Sequence, residues 1–228
     1  MRPVAIKVEP TIADLAFEAT FPEPDFQMFA DGPSLLHDLF KRLAPRGLRL
    51  NDLRFDIGSG SAAERPQVIC HLFNYLMTIK VGFERVEVVC SQMPSNLVEP
   101  FKAAILDALL AVRDHRSSIS FSTFVLSVAL HTKLEGVSVR DYLARFAANV
   151  PEGLGPPTGN GAAFYFGPDG DRLLTSVTID VSTPVADGLF IRVRSVWDGK
   201  KVALDSLLQT ADGYTRNVLQ RFNLQLPT

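Results

Sequence analysis

The chain has little of what marks a specialised chemistry. It holds two cysteines, Cys70 and Cys90, in 228 residues. They do not form a Cys-x-x-Cys pair, which argues against a zinc or redox site. Both fall in strand-like stretches. There a free cysteine ordinarily serves as a small buried apolar residue, and a cross-strand disulfide is the alternative. The four histidines, His37, His71, His115 and His131, include no pair at the spacing of a helical metal site. No stretch approaches the ~18 consecutive apolar residues of a membrane-spanning helix. The first ten residues carry Arg2 and Lys7 but no apolar run of signal-peptide length. A cytoplasmic protein without membrane contact is the expectation. The net charge is −2, so no global field draws the chain to nucleic acid, which is disfavoured as a partner.

Catalytic signatures are missing as well. Gly58-Ser59-Gly60-Ser61 is a linker-like run and not a nucleophile elbow. Residues 153–159 are glycine-rich but lack the Gly-Lys-Ser/Thr ending of a phosphate loop. Pro156 and Pro157 also remove amide donors that would cradle a phosphate. Residues 151–161 therefore read as a Gly/Pro loop of the kind that can cover a ligand. Asp169-Gly170-Asp171 has the look of a calcium loop, but its twelfth position is Asp180, inside a strand-like stretch. A hairpin turn is the better assignment. No cofactor and no metal are expected, and no residue is assigned a catalytic role.

What is present is an ordinary globular composition, 46% hydrophobic and 21% charged, arranged as a plan that occurs twice. Residues 72–89 are strand-rich and lead into an amphipathic helix over residues 97–112, with Leu97, Phe101, Ile105, Ala108 and Val112 on one stripe. Thr78-Ile79-Lys80-Val81 has a counterpart in Thr178-Ile179-Asp180-Val181. Residues 138–148 match residues 34–44 at a constant offset, with Leu143 under Leu39 and Ala148 under Ala44. The pattern predicts an arm or short edge strand over residues 1–12, a strand over 15–21 and a helix from Pro33 to Leu43. Further strands follow near 48–57, 68–75, 77–81 and 85–89. After a polar boundary at residues 114–118 come strands over 121–130, 162–166, 173–181 and 189–196, a helix over 138–148, and a last helix over about 202–222 that Gly213 weakens. The fold class is α+β: two tandem β-α-β(3–4)-α repeats, residues 1–114 and 115–228, with largely antiparallel sheets and helices packed on one face.

The order strand, helix, four strands, helix, twice in tandem, resembles the duplicated fold of the TATA-box-binding protein. That resemblance implies a saddle-shaped sheet with helices above it and, in that family, DNA binding on the concave face. The tunnelling fold of purine and pterin enzymes is a second plan-level resemblance. Residues 188–222 are similar to the end of uncharacterised, sporadically distributed bacterial proteins, a likeness that implies no activity.

Candidate contact residues come from local composition. In residues 189–196, Leu189, Ile191, Val193 and Ser195 alternate with Phe190, Arg192, Arg194 and Val196. If the helices cover one face, Arg192 and Arg194 project from the other. With Trp197, Lys200 and Lys201 they make the strongest basic cluster, a composition suited to an anionic partner and also to a charged strand that discourages edge pairing. His131, after the strand at 124–130, is the histidine placed to carry a proton. Residues 68–77 and Phe164-Tyr165-Phe166 are apolar without alternation, so a cover is expected on the second sheet face. These features give three functional expectations. The first is a non-enzymatic binding or assembly protein that forms a homo-oligomer. The second is a small-molecule binder or enzyme with a pocket between the repeats, and the third a nucleic-acid binder on a concave sheet.

Overall fold

In a computed structural model, residues 5–56, 65–146 and 161–227 are described. The sheet is organised on two long central strands, β1 (Ile6–Thr20) and β6 (Thr123–Leu134), which pair antiparallel from Val8↔Leu134 to Thr20↔Thr123. Outside β1 lie β5 (Arg85–Cys90), β4 (Met77–Val81), β3 (Gln67–Leu72) and β2 (Leu53–Asp56). Outside β6 lie β9 (Leu189–Asp198), β8 (Arg172–Val181) and β7 (Ala162–Phe166). The order β2-β3-β4-β5-β1-β6-β9-β8-β7 is thus symmetric about the central pair, with one more strand on the first half. A short β10 (Leu224–Gln225) adds to the start of β1 in parallel. The two matching tetrapeptides, Thr78–Val81 and Thr178–Val181, occupy the equivalent strands β4 and β8. The duplicated α+β plan expected from the sequence is present.

Helices α1 (Gly32–Leu43), α2 (Val98–His115), α3 (Val139–Ala144) and α4 (Leu204–Arg221) pack on one side of this sheet. Each arises where the sequence supplies start and stop signals. Asp31 caps α1 by accepting from the Ser34 amide at 3.3 Å, with Pro33 in the first turn. The chain leaves α1 through Gly47, whose φ of +96° is the left-handed conformation that glycine adopts without Cβ strain. Leu35, Leu39 and Leu43 are fully buried, and α1 is tied to α2 by Arg42–Asp114 and Arg46–Asp107. In α3, Ser138 accepts from the Asp141 amide and donates to its carboxylate. Leu207, Leu208, Ala211, Thr215, Val218 and Leu219 form the buried stripe of α4.

Strand parity divides the two faces. Met77, Ile79 and Val81 on β4, Val86, Val88 and Cys90 on β5, and Leu189, Ile191 and Val193 on β9 are buried under the helices. The core falls into two clusters that do not respect the halves. The larger, under α1 and α2, also takes Phe124, Leu126, Trp197 and Leu207 from the second half. The smaller, under α3 and the end of α4, takes Ile6 and Val8 from β1. Phe17 and Phe124 stack across the centre with ring centroids 5.9 Å apart.

Several local expectations are corrected. Residues 6–20 form one 15-residue central strand where an arm and a separate strand were predicted. Pro10 is tolerated because the register shifts between Pro10 and Ile12, a bulge where no ladder donor is lost. The strand predicted near residues 48–57 is confined to Leu53–Asp56, after a 3-10 turn at Leu50–Asp52. α2 continues three residues past the predicted Val112 to His115, at the polar stretch 114–118. β6 continues to Leu134, so His131 lies inside a strand and not beyond its end. The apolar run 68–77 is not one two-faced strand. β3 ends at Leu72, and Phe73, Asn74 and Tyr75 all take positive φ (52°, 54° and 67°) in a left-handed turn before β4. Asp169-Gly170-Asp171 is the predicted hairpin turn, closed by the Asp169↔Arg172 bridge. The runs 58–61 and 151–160 lie outside the described residues, as does the part of the predicted 138–148 helix beyond 146.

Two substitutions test this packing. Phe17→Ala removes a fully buried ring from the central pair and is expected to cost about 3–5 kcal/mol in urea denaturation. Gly213 sits in mid-α4, and a Cβ there would meet nothing within 4 Å. Gly213→Ala is therefore expected to stabilise the protein by about 1 kcal/mol.

Candidate functional site

Two places on the molecule have the shape of a binding site, one on each side of the central strands. On the helix side, α2 and α4 pass over β1 and β6 and leave a cleft of about 480 Å³. Its floor is Ala13 and Leu15 from β1 with Leu126, Val128 and Leu130 from β6. Val98 and Phe101 form one wall, Leu208 and Ala211 the other. The floor is apolar because these positions share the parity of the core. It stays uncovered because alanines at 13 and 211 do not fill the gap between the helices.

The charged groups around this cleft, and Thr215, are already partnered. Thr215 donates its hydroxyl to the Ala211 carbonyl one turn back, at 3.0 Å. Lys102 pairs with Glu99 at 2.7 Å. Arg216 pairs with Asp212 at 3.1 Å and donates to the Pro227 carbonyl at 2.8 Å, which holds Leu226 and Pro227 at the rim. An occupant would therefore meet an apolar interior and a rim of self-neutralised charge. The volume falls in the ordinary range for small-molecule pockets.

The opposite face of the sheet is free of helices and bears a shallower depression of about 470 Å³, again centred on β1 and β6. Three of the sequence-predicted residues meet there. Arg192 and Arg194 project from β9, and His131 from β6, whose register partner is Phe190. His131 Nδ1 lies 2.9 Å from Ser182 Oγ, which also accepts the Val185 amide at 3.1 Å. The His131 ring lies 5.0 Å from that of Phe190, and the Arg192 guanidinium lies over the other end of the same row, 5.3 Å from the Phe190 centroid. Among the described residues neither arginine has a carboxylate partner. Across the centre, Glu87 and Glu18 face Arg85, which hydrogen-bonds the first and lies 4.0 Å from the second.

The other predicted residues are placed elsewhere. Trp197 shares the parity of Val193 and Ser195, so it enters the helix-side core and is only 8% exposed. Lys200 and Lys201 lie in the turn after β9, and Lys201 pairs with Asp198 at 3.6 Å. That turn passes so close to the start of β6 that a Cβ on Gly199 would lie 2.7 Å from the Phe121 carbonyl oxygen.

His71 lies two strands beyond β5, bonded to Thr78 Oγ1 at 3.2 Å. Its pKa is lowered by burial and by Arg54. His37 is exposed on α1, and His115 contacts the Met28 carbonyl and Asp38. Among the described residues no three His, Cys, Asp or Glu side chains converge as a metal-binding group, and no helix is long and apolar enough to cross a membrane. The cleft between α2 and α4 had no signal of its own in the sequence. Its floor residues follow the same alternation as any buried strand.

Comparison with known proteins adds little. No protein-family profile and no curated protein matches the chain. Among solved structures it is similar to the regulatory subunit of aspartate kinase from Thermus flavus at 8% identity, over 93% of this chain and 97% of that chain, with a TM-score of 0.17. A likeness at that level carries no argument.

The two cysteines face the core from β3 and β5, with β4 between them. Cys70 lines up through Ile79 with Val88, two residues from Cys90, so their Cα atoms are separated by two strand spacings and two residues along the strand, roughly 12 Å and beyond the reach of a disulfide. Burial pushes the Cys70 thiol up to about 12. Burial, with a smaller push from Asp14, takes Cys90 to about 11. Neither thiol is expected to react with a disulfide reagent at pH 8 until the protein is denatured. Both folded pKa values lie above the unfolded one, so the stability they contribute is present below about pH 8.5 and falls as pH rises beyond it. A Cys70→Ala, Cys90→Ala variant should flatten that alkaline loss in a denaturation series.

Proposed function

We propose that the chain is a non-enzymatic binding protein that holds a small, largely apolar molecule between its two repeats. The cleft of about 480 Å³ between α2 and α4 carries this reading. It lies at the junction of the halves, where ligands commonly bind. Its floor leaves Leu15 and Val128 half-buried, apolar surface that an occupant would remove from water. The partnered charges at the rim favour a ligand with an apolar body and no strong charge of its own, because an anion would have to displace Glu99 or Asp212 and a cation Lys102 or Arg216.

A ligand of about 20 non-hydrogen atoms, at about 0.3 kcal/mol per atom, would bind with a Kd of tens of micromolar. This reading stands ahead of self-association. Of the two apolar runs behind the assembly expectation, 68–77 divides into a strand and a turn, while Phe164-Tyr165-Phe166 lies in the edge strand β7 with Tyr165 and Phe166 exposed. The helix-free face also carries charge, with Lys80, Glu87, Glu18, Arg192 and Arg194 set among Ala16, Val89, Ala129 and Phe190.

Titration with a neutral environment-sensitive naphthylamine dye tests the reading. Saturable binding to the native protein is expected, weakened roughly tenfold or more by Ala211→Phe, which fills the cleft from α4. The unfolding midpoint of that variant reports whether the fold is intact. Dye binding that is unchanged in a folded Ala211→Phe protein, or no saturable binding at all, would overturn the assignment.

A further inference from the structure

We infer that the helix-free face carries a second site, for a phosphate monoester dianion, with Arg192 and Arg194 as its ligands. The site is separate from the cleft between α2 and α4, since the sheet lies between them, and neither depends on the other. Arg192 and Arg194 are alternate residues of β9, so they leave the same face about 7 Å apart along the strand. Both line the depression over β1 and β6, and neither is neutralised by a carboxylate among the described residues. Two guanidinium groups side by side without an acid repel each other. A fold that only needed a polar strand there would be served by serine or threonine.

The surroundings supply hydrogen-bonding groups, and the nearest acid on this face of β8, Asp180 opposite Phe190, lies beside Gly161 and accepts from the Val181 amide. On β8, Ser176 is the register partner of Arg194 and Thr178 that of Arg192. On β6, Ser127 is the partner of Arg194 on the other side. Arg192 is held against Phe190, and the same ring holds His131, whose Nε2 has no hydrogen-bond partner among the described residues. The acids of the depression lie on the other side of its centre. Glu18 and Glu87 face Arg85, and Asp14 accepts the Gln92 amide at 2.8 Å.

The charge of the ligand follows from this arrangement. Two cations matched by one monocarboxylate would leave a net positive charge. A phosphate monoester near pH 7 brings close to two negative charges and three acceptor oxygens, which suits forked donors from two arginines. The hydroxyls of Ser127, Ser176 and Thr178 flank the same position.

The test is thermal unfolding of the full chain at low salt with phenyl phosphate, inorganic phosphate, acetate and succinate, repeated on Arg192→Gln, Arg194→Gln. Phenyl phosphate at about ten times its Kd is expected to raise Tm by roughly 4 °C. Acetate should have no effect, and the double variant should show no rise with any of the four. Without ligand, the double variant should melt at or above the wild-type temperature, because the repulsion between the two arginines is gone. Inorganic phosphate matching phenyl phosphate would identify the phosphate group as the recognised element and support the site. A rise with phenyl phosphate that persists in the folded double variant would overturn it. So would succinate acting as strongly as phosphate, or a single-stranded oligonucleotide binding where the monoester does not.

Discussion

The antiparallel pairing of β1 with β6 is the constraint on which the rest of the molecule depends. Each is the first strand of its half, and each is the inner edge on which that half builds outward, β5 to β2 on one side and β9 to β7 on the other. The pair also decides which faces exist. Phe17 and Phe124 meet on the helix side, while Glu18, Ser127 and His131 fall on the other. A shift of one residue in its register would exchange the two sets, moving charge under α2 and α4 and exposing the aromatic stack. Both candidate sites are consequences of the same seam. The cleft is where the helices of the two halves fail to close over it, and the basic depression is its uncovered reverse.

The halves are joined more deeply than a linear plan conveys. The first residues of β1 belong to the second core cluster, through Ile6 and Val8, while Trp197 and Leu207 belong to the first. Burying these side chains stabilises the contact between the halves as much as either half alone. That makes the repeats parts of one sheet and one packing problem. The polar stretch 114–118 falls where α2 ends at His115, which reaches back to the Met28 carbonyl, and the connection over residues 116–122 leads into β6.

Much of the fold was legible in the sequence because local patterns and tertiary packing agree. Leu35, Leu39 and Leu43 repeat at helical spacing and are all buried. The alternation over residues 189–196 assigned Arg192 and Arg194 to the open face. Followed one step further, the same parity would have sent Trp197 into the core and out of the basic cluster. Charge and aromatic composition gave the cluster, but only parity separates its members. The errors occurred where a backbone device overrides composition. A bulge admits Pro10 into a central strand, and a left-handed turn at Phe73-Asn74-Tyr75 interrupts an apolar run. The cleft was not legible at all, since it arises from the distance between two helices far apart in the chain, and no residue in it is unusual for a core strand or helix.

The position of β1 has a bearing on the order of events during folding. It lies near the start of the chain, yet its neighbours in the sheet, β5 and β6, follow about 70 and more than 100 residues later. Hairpins such as β3–β4 and β8–β9 close over short loops and can form early, but the seam between the halves waits for most of the polypeptide. Until then β1 presents two unpaired edges and the apolar row of Leu15, Phe17 and Ala19. The strand that finally organises the sheet is thus the segment most exposed to misassembly while the chain is incomplete.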